Sequence, residues 1–262
     1  MHTHPRLKFQ MNKDMSDKMD QQPEKKTRCI IEAEAATIIR KLPALGNLMI
    51  IGKANGATHE RIGPVERIDE TDGWLAATGE HHASRMDPSL VCQVILDTSS
   101  IMQNQVYPRL DFQDGEGKTL FAFVGFAGEA PFEAALADLA RTELEPTQAE
   151  RPQRPDVAQN DPGAAPLKAA IGTTPPMTIA FESRGFVQSW TGIVEKLSMG
   201  MGFINIMRPD FHLHLLGGTV SAWLEEVTEN GVRLAALDAD NNVTGLTLSA
   251  ADATAFVASE QA

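Results

Sequence analysis

The sequence predicts an α+β fold built from two tandem copies of one largely antiparallel unit. Three observations carry that prediction. Short segments alternate in the manner of strands, helical patterns flank them, and the two halves match without a gap at an offset of 129 positions. At that offset Gly56 meets Gly185 and Gly63 meets Gly192. Val65-Glu66-Arg67-Ile68 meets Val194-Glu195-Lys196-Leu197, and Gly73-Trp74-Leu75 meets Gly202-Phe203-Ile204. Further on, the second copy is about five residues shorter, so Leu110–Asp114 faces Leu234–Asp238.

In chain order, residues 1–28 come first, rich in Lys, Met and Gln and without an apolar period, and read as a disordered extension. The first repeat spans 29–143. It opens with a helical pattern over Glu32–Lys41, continues with strands over Leu48–Lys53, Val91–Leu96, Val106–Gln113 and Thr119–Val124, and closes with a helical pattern over Pro131–Thr142. Residues 144–166 are rich in proline and poor in large apolar side chains, so this stretch reads as a linker that buries nothing. The second repeat spans 167–262. Its strands fall over Thr178–Phe181, Phe203–Met207, Val220–Val227, Val232–Leu237 and Val243–Leu248, with a helical pattern over Ala250–Ser259. Asp114-Gly115 and Asp240-Asn241-Asn242 are hairpin-turn signals.

The net charge of −12 argues against nucleic acid as a partner, because phosphate neutralisation needs clustered Lys and Arg. Cys29 and Cys92 have no paired spacing and read as reduced thiols, which removes a disulfide framework or a structural zinc site. No run of about 20 apolar residues marks a membrane span, and the N-terminus lacks a signal-peptide core, so the expected location is the cytoplasm.

No nucleophile elbow, zinc-protease helix, Walker loop or dinucleotide fingerprint is present. Gly200-Met201-Gly202 reads as a turn between strands. The informative run is Ser183-Arg184-Gly185-Phe186-Val187-Gln188-Ser189-Trp190-Thr191-Gly192. It is followed by Gly202–Met207 and then Pro209-Asp210-Phe211-His212-Leu213-His214-Leu215. This resembles the C-terminal repeat of the HemS/ChuX-type haem-utilisation family, with its NRGxxQxHTG and PDFNLHL segments. Leu42-Pro43-Ala44-Leu45-Gly46 and His59-Glu60-Arg61-Ile62-Gly63-Pro64 resemble its N-terminal repeat.

The resemblance implies two HemS/ChuX-like repeats and cytoplasmic handling of haem: binding and trafficking, or reductant-dependent ring opening. Candidate partners are haem itself, a haem importer, a haem oxygenase and a second copy of the chain. It also implies an iron-ligating histidine in the second repeat. That position is Trp190 here, and an indole has no lone pair to give iron. Trp190 either fills the space of the haem or stacks on a flat ligand.

Arg85 resembles the arginine of the family's GEIDLR segment, a candidate partner for a propionate, or else a solvated charge at a strand end. His59 and His212 are candidate replacement ligands. His214 occupies a family-typical position and reads as a structural histidine. His212 and His214 are expected on opposite sides of their strand, one buried or in a cleft and the other near water. His81-His82 is expected in a solvated loop, and Met199, Met201 and Met207 as core filler or thioether donors. The alternative is a divergent, haem-free interaction or regulatory module.

Overall fold

The computed structural model describes residues 27–147, 153–172, 176–229 and 231–256. The expected extension lies outside them, apart from Thr27 and Arg28, and Arg28 opens the first strand. In chain order the first-half strands are β1 (Arg28–Glu32), β2 (Asn47–Ala54), β3 (Ala57–Pro64), β4 (Arg67–Thr71), β5 (Trp74–Thr78) and β6 (Ala83–Met86). They continue with β7 (Gln93–Asp97), β8 (Ile101–Met102), β9 (Gln105–Val106), β10 (Arg109–Gln113), β11 (Thr119–Gly125) and β12 (Ala140–Leu144). The rest are β13 (Met177–Ser183), β14 (Phe186–Gly192), β15 (Ser198–Gly200), β16 (Phe203–Met207), β17 (Phe211–Leu216), β18 (Ala222–Thr228), β19 (Gly231–Leu237) and β20 (Val243–Ala250).

Two large sheets hold all of these strands except β8 and β9, which pair with each other, and every pairing is antiparallel. One runs β12-β1-β7-β10-β11-β2-β3-β17-β16-β15, the other β18-β19-β20-β13-β14-β6-β5-β4. The second sheet follows the order of the first from β7 onward, with a mutual exchange. The first half sends β4–β6 across to continue from β14, and the second half sends β15–β17 across to continue from β3. Each sheet therefore depends on strands from both ends of the chain.

The hairpin turns follow the sequence signals. Asn55-Gly56 turns β2 into β3 with both residues at positive φ, which Gly and Asn tolerate best. Gly185 does the same between β13 and β14. Asp114 Oδ1 accepts from the N–H groups of Glu116 and Lys118, and Asp238 Oδ1 accepts from those of Asp240 and Asn242. The same aspartate cap thus closes corresponding hairpins in the two sheets.

The core fills the space between the sheets, where Phe112, Phe121, Phe123, Phe181, Phe186 and Phe211 are fully buried. Phe186 packs onto the backbone of Gly52, where a Cβ would stand 2.2 Å from its ring. Gly52 is a close-approach glycine between the sheets.

The architecture is mostly antiparallel sheet with few helices, so the expected helical share is corrected downward. Of Glu32–Lys41 only α1 (Ala35–Ile39) is α-helical. The Pro131–Thr142 pattern yields α2 (Ala130–Ala135), and the chain then returns as β12 along β1. The backbone hydrogen bonds available along β1 outweigh the weak helical preference of an exposed segment. At the C-terminus, β20 runs to Ala250, where a helix was expected to begin. A single 3₁₀ turn follows at Ala253–Phe256, and residues 257–259 of that pattern lie outside the described residues.

The 144–166 stretch also differs from its reading. Val157 packs against the core, and Asp161 is buried, its carboxylate accepting from the N–H groups of Gly163 and Gly218 at 2.8 Å each. Leu167, in α3 (Ala165–Ala169), is fully buried. One buried aspartate with two backbone donors anchors a segment whose composition predicts none.

Candidate functional site

Strand alternation decides which face each candidate side chain occupies. On β3, Ala57, His59, Arg61 and Gly63 point between the sheets, while Thr58 and Glu60 lie on the outer face. On β17, Phe211, Leu213 and Leu215 point inward, and His212 and His214 point outward.

His212 and His214 therefore share a face, contrary to the expectation. Residues i and i+2 of a strand always do, and their rings lie 5.9 Å apart. Glu60 stands opposite His212 in the β3–β17 register. Its Oε2 lies 3.2 Å from His212 Nδ1 and 3.7 Å from His214 Nε2. Burial pushes the Glu60 pKa up, but hydrogen bonds from the two imidazoles outweigh this and hold it at about 2. On its other side, His214 Nδ1 lies 2.7 Å from Asn205 Oδ1, which orients the ring.

His214 and Glu60 border a trough of about 750 Å³ on the outer face of the ten-stranded sheet. Ile51, Leu120 and Ala122 give it an apolar floor, with Lys53 and Arg109 at its polar margin and Phe203, Met201 and Met207 along the β15–β16 side. Met199, Met201 and Met207 are exposed, so the core-filler reading is corrected. They sit on β15, β16 and the turn between them, at one edge of the ten-stranded sheet. The volume falls in the range of small-molecule sites.

A second trough, of about 820 Å³, lies on the outer face of the eight-stranded sheet and includes Trp74, Arg184 and Arg233. Arg85 belongs to that face, with its guanidinium 5.1 Å from the centre of the Trp74 ring. No His, Cys or Met lines this trough.

Two sequence candidates lie on neither outer face. His59 is fully buried between the sheets. Its Nδ1 is 2.7 Å from Gln188 Oε1 and its Nε2 is 3.1 Å from the Ile179 oxygen. Burial pushes its pKa down to about 4. Trp190 is 2% exposed, stacked on Phe211 with centroids 4.6 Å apart, and its indole N–H donates to Asp210 Oδ2 at 2.9 Å. Beside it are the buried guanidinium of Arg61, which donates to the Ser189 oxygen, and Arg208, 5.8 Å from the ring. Buried Nε atoms of both arginines lack a hydrogen-bond partner.

His82 departs from its solvated reading. It is 3% exposed, its Nε2 lies 2.9 Å from the Gly63 oxygen, and burial pushes its pKa down to about 4. The structure thus joins His212 with His214 and leaves Arg85, His59 and Trp190 elsewhere. Sequence reasoning missed Glu60, Lys53, Arg109 and Asn205 as site residues. For Glu60 the signal was present, since it alternates with an inward His59 and so faces outward.

This arrangement, two long sheets trading three strands each, is similar to the fold of solved haem-handling proteins. Among solved structures the chain is similar to ChuS, described as an E. coli heme oxygenase. The TM-score is 0.68 at 18% identity, over 85% of this chain and 82% of that one. It is also similar to apo-PhuS, described as a heme-binding protein from Pseudomonas aeruginosa, with a TM-score of 0.67 at 14% identity over 85% and 81%. No protein-family model matches the chain, and no curated protein sequence does. Among the described residues no helix is long and apolar enough to cross a membrane.

Proposed function

We propose that this chain is a cytoplasmic haem-binding protein that holds haem in the trough on the outer face of the ten-stranded sheet and passes it on. The observation that carries the reading is the composition of that trough: an apolar floor, a lysine and an arginine at the margin, and the His214 imidazole oriented through its Nδ1 by Asn205. Its residues fit the group. His214 would serve the iron, Lys53 and Arg109 the propionates, and Met201 and Met207 the apolar edge of the ring. Bound haem would supply the iron chemistry; the chain's own part is to bind and orient it and to hold the His214 ring in place.

The shared fold with ChuS and PhuS supports haem utilisation. The repeat reading, 29–143 against 167–262, is supported by the matching strand orders and the paired aspartate caps. Haem importers and haem oxygenases remain the proposed exchange partners, and ring opening is the narrower form of the proposal.

A second reading, a haem-free interaction module, is favoured by Trp190. Its indole fills the position of the family's iron ligand and has its N–H satisfied by Asp210. A hemin titration separates the two. The first reading expects one saturable equivalent with a Soret band distinct from free hemin, and the second expects none.

A further inference from the structure

The outer face of the ten-stranded sheet carries more ligating chemistry than one haem iron uses. Two imidazoles and a carboxylate, on two directly paired strands, place one ligand atom each within 4.8 Å of one another. Ligands about 2.0–2.2 Å from a shared tetrahedral cation are roughly 3.4 Å apart. The two separations from Glu60 Oε2, 3.2 and 3.7 Å, already bracket that spacing.

We infer that Glu60, His212 and His214 form a binding site for a bare divalent first-row transition cation such as Zn²⁺. Two imidazoles and one carboxylate are a donor set suited to Zn²⁺ or Fe²⁺ rather than to Mg²⁺ or Ca²⁺, which prefer oxygen throughout. The scaffold is fixed. Glu60 and His212 face each other in a sheet register, and Asn205 Oδ1, 2.7 Å from His214 Nδ1, fixes the orientation of the second ring. Glu60 is largely buried and the two histidines are about a fifth to a quarter exposed, so the cluster is reachable from solvent. Three protein donors with open positions describe a site that keeps room for water or a small ligand.

The inference does not rest on the haem reading, although both use His214, so haem and the bare cation are alternative occupants. Calorimetric titration of the full chain with Zn²⁺, and of a second sample with Co²⁺ followed by visible absorption, tests it without hemin. The expected result is one equivalent, with Co²⁺ giving ligand-field bands of a nitrogen–oxygen site. His212→Asn keeps a polar side chain on the strand and Glu60→Gln keeps the shape; each should weaken binding at least tenfold. Asn205→Ala should weaken it by about tenfold through loss of ring orientation.

The residues His2 and His4 offer a rival site. Binding that survives His212→Asn unchanged, or disappears in a His2→Ala/His4→Ala chain, overturns the inference, as does the absence of saturable binding. Hemin is absent throughout, so failure of the haem reading leaves these outcomes unchanged.

Discussion

His59 and Gln188 occupy the same place in the two halves, 129 positions apart, and meet each other at 2.7 Å in the buried centre of the molecule. The contacts around them are reciprocal. His59 Nε2 reaches the Ile179 oxygen at 3.1 Å, and Gln188 Nε2 donates to the Ile50 oxygen at 3.2 Å. Ile50 and Ile179 are themselves 129 positions apart. Each half thus ties its polar centre to the other half's backbone, between two sheets that already trade strands.

This centre should be coupled. Gln188→Leu leaves both His59 and the Ile50 oxygen short of a partner and should cost about 1–3 kcal/mol. Urea unfolding of Gln188→Leu, His59→Leu and the double variant measures the coupling. The double variant should lose clearly less than the sum of the single losses.

Acid sensitivity should begin near neutrality. His59 and His82 are pushed down to about 4 in the fold, against 6.5 for a free ring. Between those values the unfolded chain binds the extra protons, so stability is fully present above pH 6.5 and is lost as pH falls toward 4. The slope should approach ~1.4 kcal/mol per pH unit for each ring. Unfolding free energies at pH 7.5, 6 and 5 should fall in that order, and less steeply in His59→Leu. A flat profile contradicts the buried, neutral assignment.

The segment before the second repeat should depend on one side chain. Asp161→Ala removes the acceptor for two backbone donors, the buried Gly163 N–H and the Gly218 N–H. It should cost about 1–3 kcal/mol and open residues 153–166 to limited proteolysis, while the wild type resists cleavage there.

Much of the fold was legible because its signals are local. Strand alternation, the turn glycines Gly56 and Gly185 and the repeat offset all act within a few residues of one another or within one register. What was not legible depends on partners distant in sequence. Nothing in Ala140–Leu144 announces a strand until β1 offers its edge, and nothing in a proline-rich stretch shows that Asp161 will find Gly218. The site was half legible. His212 and His214 were singled out individually, but the two-residue strand period places them together, and Glu60 joins them only through the β3–β17 pairing that the exchange creates. Trp190 was legible as a change of chemistry, while its stacking on Phe211 was not.

Trp190→His tests whether the family's own ligand position can be reopened. The smaller ring vacates volume beside Arg61 and Arg208, whose buried Nε atoms lack a hydrogen-bond partner. The variant should lose about 1–3 kcal/mol of stability from lost packing and gain a hemin spectrum of histidine-ligated type. A stable variant with an unchanged hemin spectrum would mean the cavity has been rebuilt around the indole.

The most direct test of where haem binds is a hemin titration followed at the Soret band, run on the wild type, His214→Ala and Arg85→Ala. The first-sheet trough predicts one saturable equivalent for the wild type, a changed spectrum and at least tenfold weaker binding for His214→Ala, and wild-type behaviour for Arg85→Ala, which lies on the other sheet. A response indifferent to His214→Ala and abolished by Arg85→Ala, or no saturable response at all, contradicts it.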